Sequence, residues 1–97
     1  MGRNEAIERL TRKAPEIRHL GATALYLFGS TARDEAGPDS DVDIFIDYDR
    51  AKFGFREFFR IREALEAAVD RRVDLATRAS LHPALRRAIE AEAVRIG

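Results

Sequence analysis

The chain holds two strongly β-forming runs, Ala22–Phe28 (ATALYLF) and Val42–Tyr48 (VDIFIDY), joined by a segment that cannot carry a full crossover helix. Parallel neighbours in a sheet need such a crossover. Between these runs only Ser30 to Glu35 is helix-compatible, and Ala36 to Ser40, with Gly37 and Pro38, reads as a turn. The two strands are therefore free to pair antiparallel. Further on, Phe55 to Val69 carries Phe55, Phe58, Ile61, Leu65, Ala68 and Val69 as a broad apolar stripe at helical spacing. A strand following that helix can run in either direction, so the pattern points to a mixed sheet.

The remaining elements fit around this frame. Leu25 to Phe28 is nearly continuous in apolar character, which predicts a first strand buried on both faces. Asn4 is the expected cap of a first helix bearing Ile7, Leu10 and Ala14, which Pro15 should interrupt before Ile17, Leu20 and the terminating Gly21. Ser30 offers a capping hydroxyl to the short helix ending at Glu35. Arg72 to Thr77 predicts a third strand. Ser80 or His82 is the expected cap of a last helix with Leu81, Leu85, Ile89 and Ile96 on one face. The expected fold class is α/β (α+β), a small mixed sheet with helices packed mainly on one face. A single domain over residues 1–97 is expected, with a core at about 22–77 and flanking terminal helices.

The charge balance narrows the function. The 17 basic and 17 acidic residues cancel, so the large basic excess that holds a nucleic-acid backbone is lacking. Stable nucleic-acid binding is not expected. There is no cysteine, which removes disulfides and thiolate metal sites, and no apolar run long enough to span a membrane. The start MGRNEAIERL lacks the apolar core of a signal peptide, so a cytoplasmic location is expected.

The chemistry concentrates in GSTARDEAGPDSDVDIFID, residues 29–47. Asp41 and Asp43 lie two residues apart at the mouth of the second strand, and such side chains share a face. Left alone they repel, which raises at least one pKa, and a hard cation such as Mg²⁺ suits their oxygens. Asp74, between Val73 and Leu75, can join that face if the third strand neighbours the second. Three carboxylates then provide the donors of a one- or two-cation clamp for phosphoryl or nucleotidyl displacement. Gly29 and Ser30 supply the complementary half, because glycine admits a phosphate close to the backbone and a helix start presents free N–H groups. Arg33 is placed to reach the same anion or to pair with a carboxylate of the cluster.

Gly29-Ser30, ten intervening residues and Asp41-Val42-Asp43 together resemble the signature of the minimal nucleotidyltransferases of the DNA polymerase β superfamily. Asp74 falls where that family places its third carboxylate, and the likeness runs from Ala22 to Thr77. The resemblance implies transfer of a nucleoside monophosphate, expected to be AMP from ATP, to a hydroxyl. Asp41, Asp43 and Asp74 would hold one or two Mg²⁺, and Gly29 and Ser30 would hold the β and γ phosphates. The resemblance also implies an antitoxin whose partner is a HEPN-domain toxin, with a tyrosine of that partner as acceptor. Neutralisation by occlusion alone, or nucleotidylation of a small molecule, are the alternatives it leaves.

Other readings of the same residues fail or stay structural. A calcium loop over Asp39, Asp41 and Asp43 is excluded by Ile44 where glycine is required and Arg50 where a glutamate is required. A Walker loop is excluded because no GKS or GKT follows the glycine. Ser40 is expected to cap the loop and orient the aspartates, Asp47 and Asp49 to be solvated, and His19 and His82 to be structural. The group Phe53, Phe55, Phe58 and Phe59 is expected to be core, with any excess forming a partner surface.

Overall fold

The structure, a computed structural model, describes all 97 residues. Helix α1 spans Arg3–Thr11 and begins ahead of Asn4, with Gly2 in the cap position. The free Arg3 N–H is satisfied from a distance, donating to Asp34 Oδ1 at 2.9 Å. Helix α2, Ala14–His19, carries Pro15 in its first turn, where a missing N–H leaves no bond unmade. Gly21, at φ +103°, then reverses the chain into strand β1, Ala22–Phe28.

A single turn of helix, α3 at Gly29–Ala32, follows β1 directly, and strand β2 occupies Val42–Tyr48. The two strands pair antiparallel, with Leu27 opposite Ile44, Tyr26 opposite Phe45 and Phe28 opposite Asp43. Helix α4, Phe55–Val69, ends on Asp70 in the left-handed region, φ +52°, and leads to strand β3 at Val73–Thr77. Strand β3 pairs parallel with β2, matching Asp43 to Asp74 and Ile44 to Leu75. The sheet is mixed, as the short first connection and the long second one require.

One face of the sheet meets the helices. Leu25 and Leu27 of β1 and Val42, Ile44 and Ile46 of β2 pack with Ala6, Leu10, Ile17, Ile61, Leu65 and Val69 in one apolar cluster. Each large aliphatic side chain removed from water there contributes roughly 1.5–3 kcal/mol. The expected burial of β1 on both faces holds only in part, because its other face is covered by side chains rather than by a helical layer. Tyr26 stacks on Phe45 at 4.7 Å between ring centroids, Phe28 tilts against it at 5.7 Å, and the Arg78 guanidinium lies 4.9 Å from Tyr26 and 5.0 Å from Phe45. Phe45 is fully buried by this cover, while Tyr26 and Phe28 keep some exposure and Thr23 is exposed.

The carboxyl-terminal part departs from expectation. Ser80 closes a 3-10 turn over Arg78–Ser80 in a reciprocal cap with Thr77, and does not start the last helix. That helix, α5, is only Arg86–Glu92, and Ile96 lies beyond it. Val94–Arg95 forms strand β4, antiparallel to the free edge of β1, giving the order β3-β2-β1-β4. The physical reason is the open edge: Leu25 has an N–H and a C=O to satisfy, and they bond Gly97 O at 3.0 Å and Ile96 N at 2.7 Å. Along α4, Ile61, Leu65 and Val69 are buried as the stripe predicts, but Phe55 is 87% exposed and Phe59 48%. No helix is long and apolar enough to cross a membrane.

Candidate active site

Gly29 is where strand turns into helix, at φ +73°, a conformation that favours glycine. Space imposes the same choice, because a Cβ there would stand 2.1 Å from Asp43 Oδ2. The turn at the end of β1 and the carboxylate at the start of β2 are thus in direct apposition. Thr31 and Ala32 anchor the short helix by burial. Ser30 does not cap it: the cap position is Phe28, in extended backbone, and no side chain closes that helix start. Strand β1 runs straight into the helix, so Ser30 already lies within the first turn.

Strand register then assembles the carboxylates. Asp74 is the parallel partner of Asp43, and Asp41 precedes Asp43 by two residues, so all three belong to the face opposite the helices. Asp43 is half-buried, whereas Asp41 and Asp74 are exposed. Burial pushes the Asp43 carboxyl above the ordinary carboxylate range, the negative charges of Asp74 and Asp41 add to this, and Arg33 opposes it. No ion pair relieves Asp74, since Arg71 donates to the Pro38 carbonyl and Arg78 to Asp47 and Glu90. No three acidic or histidine side chains close on one point.

Arg33 pairs with carboxylates outside the aspartate cluster. Its Nη1 donates to Glu92 Oε2 at 2.9 Å, with Glu35 at 3.5 Å from Nε, and these carboxylates raise its pKa. The other oxygen of Glu92, Oε1, accepts the Gly29 N–H at 3.1 Å. Sequence reasoning missed Glu92, because only the folded placement of α5 brings it to a glycine 63 residues earlier. Ser40 caps its loop by accepting the Gly37 N–H at 2.9 Å, without bonding the aspartates. Asp47 is not a solvated strand end, since it takes two bonds from Arg78, at 2.8 and 3.0 Å. Asp49 accepts the Ala51 N–H at 2.9 Å in a local turn.

A backbone donor at a glycine turn, an arginine and three carboxylates are gathered around Asp43. The profile of the nucleotidyltransferase domain matches residues 5–96. The protein adenylyltransferase MntA of Thermococcus cleftensis is 36% identical over 86 residues, which cover 88% of this chain and 86% of that protein. A solved chain described as a candidate minimal nucleotidyltransferase superposes with a TM-score of 0.74 at 31% identity, over 97% of this chain and 95% of that one. An MNT antitoxin in complex with the tri-AMPylated HEPN toxin of Shewanella oneidensis gives 0.66 at 17% identity, over 98% and 71%, a likeness of fold alone. Sequence and topology agree that the chain belongs to the nucleotidyltransferase domain family.

Proposed function

We propose that this nucleotidyltransferase moves AMP from ATP to a hydroxyl of a partner protein, a HEPN-type toxin, and so acts as its antitoxin. The observation that carries the reading is the apposition of Gly29 and Asp43, which supports assigning phosphate to the turn and the cation to the facing carboxylate. The likeness to a protein adenylyltransferase supports a protein acceptor. The structural likeness to an antitoxin solved with an AMPylated HEPN toxin agrees with it. Tyrosine is the acceptor side chain implied by the family.

The donor set fits Mg²⁺. It offers only oxygens, its like charges already raise one carboxyl, and the nearest cation, Arg33, is engaged with Glu92 and Glu35. Asp41, Asp43 and Asp74 would hold the ion, which when bound offsets phosphate charge and lowers the pKa of the acceptor hydroxyl. The chain's own groups bind and orient. The Gly29 N–H and the start of α3 receive the β and γ phosphates, and Arg33 adds a guanidinium to the same anion. This holds the α-phosphorus toward the acceptor. The acceptor oxygen bonds to it, the α–β bridging bond breaks, the hydroxyl proton passes to solvent and pyrophosphate leaves. Donors fixed where the leaving charge develops stabilise it without reorganisation.

Incubation with Mg²⁺, α-labelled ATP and the HEPN-type partner tests the reading. Label should appear on the partner, with a mass gain of AMP, and Asp41→Asn with Asp43→Asn should lower it by roughly a hundredfold or more. Equal labelling by the double variant, or nucleotide binding with no label on the partner, would refute it.

A further inference from the structure

The two donors assigned to the triphosphate are already engaged within the chain. Glu92 presents a planar anion whose Oε1 accepts the Gly29 N–H at 3.1 Å and whose Oε2 accepts from Arg33 Nη1 at 2.9 Å. A phosphate needs the same two donors. Glu92 also adds negative charge beside Asp43, where Asp74 and Asp41 already contribute it. By charge and by occupancy it opposes an incoming triphosphate.

Resting on the nucleotidyltransferase reading, we propose that Glu92 is an internal stand-in for a nucleotide phosphate, which must leave Gly29 and Arg33 before the triphosphate seats. The helix that carries it is lightly anchored. Glu92 is the last residue of α5, a helix with no buried residue, and β4 after it is two residues long. Its pair with Arg33 is partly open to solvent, 46% for Arg33 and 28% for Glu92, and such pairs are weak. A phosphate brings more charge and more acceptor oxygens to the same donors, so it displaces the carboxylate. Until then the contact keeps Gly29 and Arg33 paired and lowers apparent affinity by the fraction of molecules in which they are free.

ATP affinity in Mg²⁺, measured by calorimetry on the full chain, tests this with Glu92→Gln and Glu92→Asp. Glutamine removes the charge, and aspartate keeps the charge but is too short to span both donors. Glu92→Gln should bind ATP roughly three- to tenfold more tightly than wild type, and Glu92→Asp should show a smaller gain. AMP, which lacks the β and γ phosphates, should bind all three proteins alike. Unchanged or weaker ATP binding in whichever variants fold would overturn the proposal, as would an equal gain for AMP, which would mark a general charge effect. Loss of ATP binding in wild type and variants together would instead remove the underlying reading, and this proposal with it.

Discussion

Gly29→Ala tests the join between the two halves of the site, and the structure fixes its size. At φ +73° an L-residue costs about 1–2 kcal/mol relative to glycine. The new Cβ would also stand 2.1 Å from Asp43 Oδ2, so the Asp43 side chain must leave its present rotamer, at about 0.5–1.5 kcal/mol. The sum, about 1.5–3.5 kcal/mol, corresponds to a fall in Tm of roughly 6–28 °C for a chain of this size. Urea denaturation with an unchanged slope gives the cost directly. Repeating it in an Asp43→Ala background separates the parts. There the nearest remaining atom is the residue-43 Cβ at 3.2 Å, so the rotamer share, about 0.5–1.5 kcal/mol, should vanish and appear as coupling between the two sites. AMP transfer should fall with Gly29→Ala, because both the phosphate turn and Asp43 are displaced. A cost below about 0.5 kcal/mol, or the same cost in both backgrounds, would refute the argument.

Two further outcomes follow from the electrostatics. The folded-state pKa of Asp43 is raised by burial and by Asp74 and Asp41, so its stabilising contribution is complete below the unfolded value, about 4, and is lost as pH rises through the folded value. With divalent cations chelated, wild type should therefore lose stability relative to Asp43→Asn as pH rises above about 4, and denaturation showing wild type gaining would refute this. Arg78→Met keeps apolar cover over Tyr26 and Phe45 but leaves Asp47 without its cation and Glu90 with Arg86 alone, at 3.6 Å. These groups are about a third exposed, which screens them, so the expected loss is about 1–2 kcal/mol by chemical denaturation, and an unchanged midpoint would refute it.

What was legible in the residues was whatever repeats or whatever is local. Strands β1 and β2 and helix α4 coincide with their apolar runs, and Asp41, Asp43 and Asp74 reach one face because strand periodicity carries them there. Strand β4 was hidden because two residues cannot display a period, and its existence depends on an edge that β1 offers only once folded. Ile96 looked helical for the same reason. Phe55 matched the stripe of α4 yet stays exposed as the first residue of the helix. Glu92 was unreadable: nothing local distinguishes it from Glu90, and its bond to Gly29 exists only through the path of α5. Arg33 and Asp47 found partners for the same tertiary reason.

The pairing of Phe28 with Asp43 has one more consequence, concerning errors of assembly. Side chains alternate faces along β2, so sliding it by one residue against β1 would drive Asp43 into the apolar cluster and bring Ile44 and Ile46 to the open side. Exposing each isoleucine forfeits roughly 1.5–3 kcal/mol, and burying a lone carboxylate adds several more. The misaligned site is therefore also a badly packed molecule, discarded by the same forces that fold the chain. Strand register in this protein is proofread by its oil.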